Sequence, residues 1–268
     1  MLLEDRTAVV TGIGPGMGRD ISLALAREGA NIVMVGRSDR HMPAVAEEVA
    51  DLGRVVHTVQ ANIEDADDCA KVARKVSDEF GALDVLVNSA FHAGRMEPFD
   101  TADLSKWRRP MEVNYFGTLQ MTQTLLPVLK EATRLRGDAR VVMVNTMSVQ
   151  LIEEHYGSYV GSKSALAGVT KSLARDLGPH GIRVNSIHPG YIWGDSVKIL
   201  FEMQAQERGG ETTWEDIYEE RAAETCLRYL PHSSEIAGAV VFFASPLAKC
   251  VTGTSLPVNA GHWLPPSA

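Results

Sequence analysis

The chain has 268 residues, 45% of them hydrophobic, and its 34 acidic against 26 basic side chains give a net charge of −8. That charge argues against a nucleic-acid partner, which needs clustered Lys and Arg, and no apolar run approaches the roughly 20 residues that span a bilayer. The acidic start MLLEDR is unlike a signal peptide, and three scattered cysteines (Cys69, Cys226 and Cys250) suggest no disulfide framework, so we expect a cytoplasmic protein without a membrane partner.

Short β-branched runs alternate with helical patterns along the chain. Strands are predicted over residues 7–11, 31–35, 55–60, 85–88, 141–144, 184–187 and 256–258. Helices are predicted after the first strand, then over residues 44–52, through Val72 and Val76, and over 104–107, 111–130, 158–177 and 236–243. Strands separated by helices indicate a parallel sheet with helical crossovers. We therefore predict one α/β domain over residues 1–268, in which the segment 193–232 is long, charged and mostly helical in pattern.

A glycine-rich turn joins the first strand to the first helix. Residues 7–11 (TAVVT) run directly into TGIGPGMG at residues 11–18, and an amphipathic helical pattern follows. Gly12, Gly16 and Gly18 permit backbone approaches that a Cβ atom would block. The free N–H groups at the start of the helix can hold a pyrophosphate. The turn in this context predicts a dinucleotide site.

Tyr159 and Lys163 are four residues apart in a predicted helix. Side chains at this spacing share a helix face, with Cβ atoms about 5–6 Å apart. An ammonium beside a phenol stabilises the phenolate and lowers the pKa of the phenol. This suits a group that gives and takes a proton near neutral pH. We therefore predict Tyr159 as a general acid/base with Lys163 as its partner.

The glycine turn, written T-G-x-x-x-G-x-G, and the Y-x-x-x-K pair together resemble the short-chain dehydrogenase/reductase family in its classical form. The other matching segments are LDVLVNSA (83–90), EVNYFGTLQ (112–120), VVMVNTMS (141–148), IRVNSIHPG (182–190) and VTGTSLPVNAG (251–261). The resemblance covers nearly the whole chain. It implies a Rossmann-like, doubly wound sheet of about seven strands with helices on both faces. It also implies an NAD(P)-dependent oxidoreductase that interconverts a secondary alcohol and a ketone.

The resemblance implies catalytic roles for Asn114, Ser148, Tyr159 and Lys163. Tyr159 exchanges a proton with the substrate oxygen, and Lys163 also binds the nicotinamide ribose. Ser148 hydrogen-bonds the substrate oxygen, while Asn114 holds a water that relays protons to Lys163.

The choice of hydroxyl before Tyr159 has an alternative. The family usually places its serine 13 residues before the tyrosine, whereas Ser148 precedes Tyr159 by 11 residues and Thr146 by 13. The family pattern N-x-x-S, beginning at Asn145, favours Ser148. Thr146 stays open as the alternative.

The cofactor residues implied by the resemblance lie at the ends of the predicted strands. They are Gly12, Gly16, Met17, Gly18, Arg37, Asn62, Ile63, Asn88, Ala90, Tyr159, Lys163, Pro189, Gly190 and Ile192. Gly36 stands where NAD enzymes of this type carry an acidic residue, and the next residue, Arg37, can hold a 2′-phosphate with paired hydrogen bonds. We therefore predict NADP(H) over NAD(H), with Asp39 as an alternative ribose ligand. Asn62 replaces the usual Asp near adenine but keeps a carbonyl acceptor.

Departures from the family surround the predicted substrate. Phe91 stands where the family has glycine, and Gly194 stands where it has a threonine that anchors the carboxamide, so anchoring rests on backbone groups or Ser196. The predicted pocket residues are Phe91, His155 and Trp193. Trp193 could equally pack within the helical segment 193–232. By resemblance, residues 193–232 cap the pocket. Their aromatic and apolar residues predict a bulky, largely apolar alcohol or ketone.

The same residues are compatible with two other functions and with an assembly of several copies. The alternatives are a 3-oxoacyl-thioester reductase of the same family and a catalytically silent nucleotide-binding relative. No metal is expected, because the adjacent loop residues Glu153, Glu154 and His155 seldom converge on one ion. A homotetramer or homodimer is implied, built on the helices from Met111 and Ser158. Their apolar or small residues are Leu119, Met121, Leu125, Ala165, Ala167 and Leu173.

Overall fold

Seven parallel strands form one sheet in the computed structural model, which describes residues 1–264. The strands are β1 (Thr7–Thr11), β2 (Asn31–Gly36), β3 (Val56–Gln60), β4 (Val85–Asn88), β5 (Ala139–Val144), β6 (Ile182–Pro189) and β7 (Ser255–Val258). Their order across the sheet is β3-β2-β1-β4-β5-β6-β7. The predicted doubly wound α/β fold is therefore confirmed, and each predicted strand is present with ends that differ by two residues at most.

Helices connect the strands throughout. They are α1 (Met17–Arg27), α2 (Met42–Asp51), α3 (Ala66–Phe80), α4 (Leu104–Met111), α5 (Thr118–Arg136), α6 (Gly157–Leu177), α7 (Asp195–Arg208), α8 (Trp214–Ala223) and α9 (Ser233–Ala244). None of the helices in residues 1–264 is long and apolar enough to cross a membrane.

The helix predicted over residues 111–130 differs from prediction at both ends. A π-helical turn, Glu112–Gly117, precedes α5, and Gly117 packs so closely that an added Cβ would lie 2.9 Å from Ile63. The helix continues to Arg136 because the following Gly137, at φ 87°, provides the left-handed residue that ends a helix. The turn places Asn114 on its inner side, where the side chain is fully buried.

The two faces of the sheet are covered by different helices. Along β1, Ala8 and Val10 pack with the core shared by α1, α2 and α9. Val9 faces the other core, which α3, α5 and α6 complete. This alternation follows the two-residue period of a strand. Because both faces are buried, the central strands are continuous apolar runs.

The sheet edge that carries the site lies at the carboxyl ends of β1 and β4. The strand order reverses between these neighbours, which makes a crevice of the kind that binds ligands in doubly wound sheets. Thr11, the last residue of β1, accepts hydrogen bonds on Oγ1 from the N–H groups of Ser89 (3.1 Å) and Ala90 (3.2 Å). The hydroxyl thereby fixes the loop after β4 against the glycine turn.

The capping segment has a small core of its own. Phe201 and Ala205 of α7 pack with Ile217 of α8 and with Leu230. The aromatic rings of Tyr191, Trp193, Trp214 and Tyr218 lie against this cluster.

One part of the predicted interface face is wrong. Met121 and Leu125 are fully buried within the core of the chain itself, so their side chains are not available to a second copy. Leu119, Ala165, Ala167 and Leu173 stay partly buried.

Candidate active site

Tyr159 and Lys163 lie on the buried side of α6, with 9% and 2% of their surfaces exposed. The lysine Nζ is 5.9 Å from the centroid of the tyrosine ring and donates a hydrogen bond of 2.8 Å to the carbonyl oxygen of Val144, at the end of β5. Tyr156 stacks on Tyr159, with centroids 4.7 Å apart and an interplanar angle of 24°. The predicted pair is thus brought together at the carboxyl edge of the sheet.

Burial controls the proton affinities of this pair. It lowers the pKa of Lys163 to about 7, because the charged ammonium has lost its water and has no carboxylate partner within residues 1–264. Burial, with a smaller effect from Tyr156, raises the pKa of the Tyr159 phenol above its usual value. The expectation that Lys163 lowers this pKa is therefore wrong for the polypeptide alone. Loss of water around each charged form sets the direction of both pKa shifts.

A pair of hydroxyls stands beside the phenol. The Thr146 side chain lies close to the Tyr159 phenol, and its polar hydroxyl opposes the effect of burial on the phenol pKa. The Ser148 hydroxyl lies 3.1 Å from Thr146 Oγ1, and Thr146 Oγ1 also accepts a 3.2 Å hydrogen bond from the Ser148 N–H. The contact follows from the 3₁₀ turn Met147–Val149, which Thr146 caps. Thr146 therefore acts on the Tyr159 phenol, and Ser148 contacts the Thr146 hydroxyl.

Asn114 is tied to the loop after β4. Its Oδ1 accepts a 2.7 Å hydrogen bond from the His92 N–H, and its Nδ2 donates to the His92 carbonyl at 2.9 Å. The second Nδ2 hydrogen goes to Ser162 Oγ, also at 2.9 Å. Both donors are thus used within the chain, and one acceptor position on Oδ1 is left for a water. Asn114 positions the loop that carries Phe91 and His92.

The glycine turn fits a pyrophosphate. Gly12, at φ 78°, could not carry a Cβ, which would lie 2.5 Å from Ala90 Cα, and a Cβ on Gly18 would lie 2.4 Å from the Gly12 carbonyl oxygen. A Cβ on Gly16, in contrast, meets no atom within 4 Å, so packing within the chain does not require glycine there. No side chain caps the start of α1, where Met17 is the first residue. The open space and the free N–H groups match the demands of an anion at a helix N-terminus.

The residues predicted for the adenosine side lie at the ends of β2 and β3. Arg37 is exposed, its side chain has no hydrogen-bond or ion-pair partner within residues 1–264, and its carbonyl accepts a 3.0 Å hydrogen bond from Gln60 Nε2. Asn62 Oδ1 accepts from the Glu64 N–H at 3.3 Å, which leaves one acceptor position. Ile63 is 5% exposed and packs under Gly117.

Two predicted cofactor residues are also structural. The Asn88 side chain is buried and donates to Thr122 Oγ1 at 3.0 Å, so only its backbone faces the crevice. Ala90 gives its N–H to Thr11, as described above. Both positions hold the loop in place beside the glycine turn.

The chain after β6 turns away from the sheet at Pro189, the last strand residue. Gly190 is required there, because an added Cβ would lie 2.9 Å from the Cβ of Asn259. Ile192 is half-buried against the core formed with α1 and α9. The predicted alternative anchor, Ser196, is exposed.

Comparisons with known proteins agree with this architecture. A family model described as enoyl-(acyl carrier protein) reductase matches residues 12–262. The chain is 31% identical over 260 residues to 3-oxoacyl-[acyl-carrier-protein] reductase FabG of Staphylococcus aureus, covering 97% of the chain and 98% of the relative. It is 28% identical to 7alpha-hydroxysteroid dehydrogenase of Escherichia coli, over 97% and 94% of the two chains. The chain belongs to the short-chain dehydrogenase/reductase family.

Solved structures share the fold of this short-chain dehydrogenase/reductase. Carveol dehydrogenase of Mycobacterium avium, in complex with NAD, superposes with a TM-score of 0.89 at 23% identity and covers 97% of this chain and 98% of its own. NAD⁺-bound xylitol dehydrogenase gives 0.87 at 23% identity, covering 96% and 99%. The family assignment makes the protein an oxidoreductase by descent.

The predicted pocket residues of this family member have different environments. Phe91 is 60% exposed, and the His155 side chain is 51% exposed. Trp193 packs against Trp214 and Tyr218, with centroid distances of 5.6 and 4.6 Å. Trp193 was expected either to form a wall of the pocket or to pack within the capping segment, and these contacts show that it packs there.

Sequence reasoning did not predict the contacts of two aromatic residues at the site, Tyr156 and Tyr191. Tyr156 covers one face of Tyr159, and its three-residue separation on the chain was a signal that the two rings could meet. Tyr191 donates a 2.5 Å hydrogen bond to Glu153 Oε1 and so ties the chain after β6 to the loop before α6. Nothing local predicts this second contact, since 38 residues separate the partners.

Within residues 1–264, no three His, Cys, Asp or Glu side chains form a metal-holding group.

Proposed function

We propose that this family member is an NAD(P)-dependent oxidoreductase that interconverts a secondary alcohol and a ketone, with Tyr159 as the acid/base. The observation that carries the proposal is the meeting of Tyr159, Lys163 and the Thr146–Ser148 hydroxyl pair at one buried place. This place lies at the same sheet edge as the glycine turn that fits a dinucleotide.

The roles follow from the groups present. A bound nicotinamide supplies the hydride for reduction or accepts it in oxidation. In the direction of reduction, Tyr159 donates its phenolic proton to the substrate oxygen, and the raised phenol pKa keeps that proton in place beforehand. In the direction of oxidation, the phenolate takes the hydroxyl proton, and Lys163 supplies the positive charge that stabilises it. Asn114 holds the loop beside this site and can accept one bond from a relay water.

The hydrogen bond to the substrate oxygen is assigned to Thr146 rather than Ser148. Thr146 contacts Tyr159, and a substrate oxygen that takes the phenolic proton must come within hydrogen-bond distance of the same phenol. Ser148 acts on Thr146, through the 3.1 Å contact between their hydroxyls. The proposal therefore takes up Thr146, the alternative at the 13-residue spacing before Tyr159, in place of Ser148.

NADP(H) is proposed over NAD(H). Arg37 stands at the end of β2 with an exposed guanidinium that no acidic side chain within residues 1–264 engages. Gln60 Nε2 donates to the Arg37 carbonyl, and this hydrogen bond fixes the backbone from which the guanidinium extends. A guanidinium so placed favours a 2′-phosphate through charge and paired hydrogen bonds.

The substrate is proposed to be a bulky, largely apolar alcohol or ketone. The tyrosine rings at positions 156 and 191 and the aromatic cluster of the capping segment favour apolar contact. The alternative, a 3-oxoacyl-thioester reductase, is supported by the name of the Staphylococcus relative. A carrier protein with an acidic surface needs a basic entrance. Its candidates are Arg95, Lys106, Arg108 and Arg109, of which Arg109 is already paired with Glu64. Assembly as a homotetramer or homodimer is also proposed, and light scattering after size exclusion tests it.

Oxidation of the reduced cofactor in the presence of a ketone panel tests the proposal. We expect turnover with at least one bulky ketone, a preference for NADPH, and loss of turnover in Tyr159→Phe. The control is Tyr229→Phe, because the Tyr229 hydroxyl bonds Glu235 on the surface, away from the site. Tight cofactor binding without turnover of any ketone or alcohol would identify the chain as a catalytically silent relative and refute the proposal.

A further inference from the structure

The capping segment carries a cleft of about 320 Å³ that none of the proposed chemistry uses. It is lined by Trp193, Trp214, Glu215, Tyr218 and Glu219. This volume falls at the lower end of the range for small-molecule sites, roughly 300–1,000 Å³. The three aromatic side chains pack on one another, are each only half-buried, and form one wall.

The carboxylates at the cleft have no partner in the described chain. Helix α8 bears four acidic side chains, of which Asp216 caps the helix start and Glu220 pairs with Arg208 at 2.7 Å. Glu215 and Glu219 make no hydrogen bond and no ion pair within residues 1–264. They are four residues apart and therefore lie on one face of the helix, where like charges destabilise it. Neither carboxylate has an ion-pair partner among residues 1–264 that would offset this repulsion, although the helix N-terminus stabilises Glu215 in the first turn, and both border the aromatic wall.

The aromatic wall already attracts an ammonium group. Lys198 Nζ lies 4.6 Å from the centroid of Trp214, within the distance of a cation–π contact. Lys198 does not line the cleft, and no Lys, Arg or His side chain does. The cleft thus offers aromatic side chains and two carboxylates that no ion pair neutralises, and Lys198 on Trp214 is the positive charge beside it.

We propose that this cleft binds an organic cation, of the tertiary or quaternary ammonium class. Ring faces attract a cation whose charge is spread over an apolar shell, and carboxylates at the rim add long-range attraction. A hard metal ion is a poorer match, because the aromatic side chains supply no oxygen ligands. The cation is either a substituent of the substrate or a separate small molecule. Trp193 directly follows Ile192, which the proposed cofactor site includes, so the chain connects the cleft to that site.

Calorimetric titration of the intact protein with choline chloride tests the site. We expect saturable binding that sodium chloride at equal ionic strength does not reproduce. The neutral isostere 3,3-dimethylbutan-1-ol should bind about tenfold more weakly, since it fills the same shape without the charge. The double substitution Glu215→Gln/Glu219→Gln should weaken choline binding by about tenfold or more, because both carboxylates are lost. The matched control is Glu207→Gln, which removes an exposed carboxylate of α7 outside the cleft and should leave choline binding unchanged.

Equal binding of choline and the neutral alcohol, or unchanged choline binding in the double variant, overturns the proposal. Inhibition of ketone reduction by choline then distinguishes the two sources of the cation. Competition with the ketone places the ammonium group on the substrate, whereas inhibition or activation that is independent of ketone concentration indicates a separate ligand. Because the titration needs no turnover, failure of the proposed oxidoreductase activity leaves its result standing.

Discussion

Replacing Thr146 by valine removes one hydroxyl and keeps a branched side chain of the same shape. If this hydroxyl holds the substrate oxygen while Tyr159 transfers its proton, its loss removes a donor from the developing charge. Loss of one such donor typically lowers kcat by about 10²–10³-fold. The side chain also accepts the Ser148 N–H at 3.2 Å as the cap of a 3₁₀ turn. Unfolding free energy should therefore fall as well, by about 0.5–2 kcal/mol.

Two companion variants separate these effects. Thr146→Ser keeps the hydroxyl and the cap, and should retain most of the activity. Ser148→Ala removes only the 3.1 Å contact to Thr146, a neutral hydrogen bond worth about 0.5–1.5 kcal/mol, so kcat should fall by only about 2–13-fold. Steady-state kinetics with the best ketone gives kcat and KM separately, and urea unfolding gives the stability. A larger loss of kcat in Ser148→Ala than in Thr146→Val would return the substrate contact to Ser148 and refute the assignment.

Four further predictions rest on single residues. Gly12→Ala should destabilise the fold by about 2 kcal/mol or more, because its Cβ meets Ala90 and φ is 78°. Gly16→Ala should unfold nearly as wild type yet bind cofactor weakly in a fluorescence titration, and intact binding would contradict the pyrophosphate site. Arg37→Ala should raise KM for NADPH and lower the NADPH-to-NADH preference by about tenfold or more, whereas an unchanged preference would point to Asp39 and NAD(H). Unfolding free energy should rise between pH 7 and 9, because the Lys163 pKa of about 7 lies below its unfolded value of 10.5 and the unfolded chain then binds more protons. Lys163→Met should remove this slope, at most about 1.4 kcal/mol per pH unit, and a slope equal to that of wild type would contradict the buried, unpaired ammonium.

The sequence predicted the sheet well because its strands are short and buried on both faces. Their apolar runs stand between glycine turns and helical patterns, so no tertiary information is needed to find them. Helix ends were less certain, and the π-helical turn at Glu112–Gly117 was not predicted. Its cause is tertiary: Gly117 packs under Ile63, and Asn114 bonds a loop 22 residues away.

Two features of the site show what local sequence patterns do not determine. The four-residue spacing of Tyr159 and Lys163 gives their proximity, but not their burial, which reverses the direction of the phenol pKa shift. The choice between Thr146 and Ser148 depends on the 3₁₀ turn Met147–Val149, at whose start the Thr146 hydroxyl accepts the Ser148 N–H. The 13-residue spacing before Tyr159 favoured Thr146, whereas the N-x-x-S pattern that begins at Asn145 favoured Ser148. Only the conformation of the loop decides between them.

The pKa values expected from the sequence and those of the folded chain describe two protonation states of the Tyr159–Lys163 pair. In the polypeptide alone, desolvation dominates, so the phenol keeps its proton and Lys163 titrates near pH 7. When Tyr159 gives up its proton, a buried phenolate appears beside the lysine, whose only hydrogen-bond partner among the described residues is the Val144 carbonyl. That negative charge raises the affinity of Lys163 for a proton, and the resulting ammonium stabilises the phenolate in return. The two groups therefore titrate as a unit. Removing Lys163 should slow alcohol oxidation, which requires the phenolate, whereas Tyr159 of the resting enzyme should keep its proton.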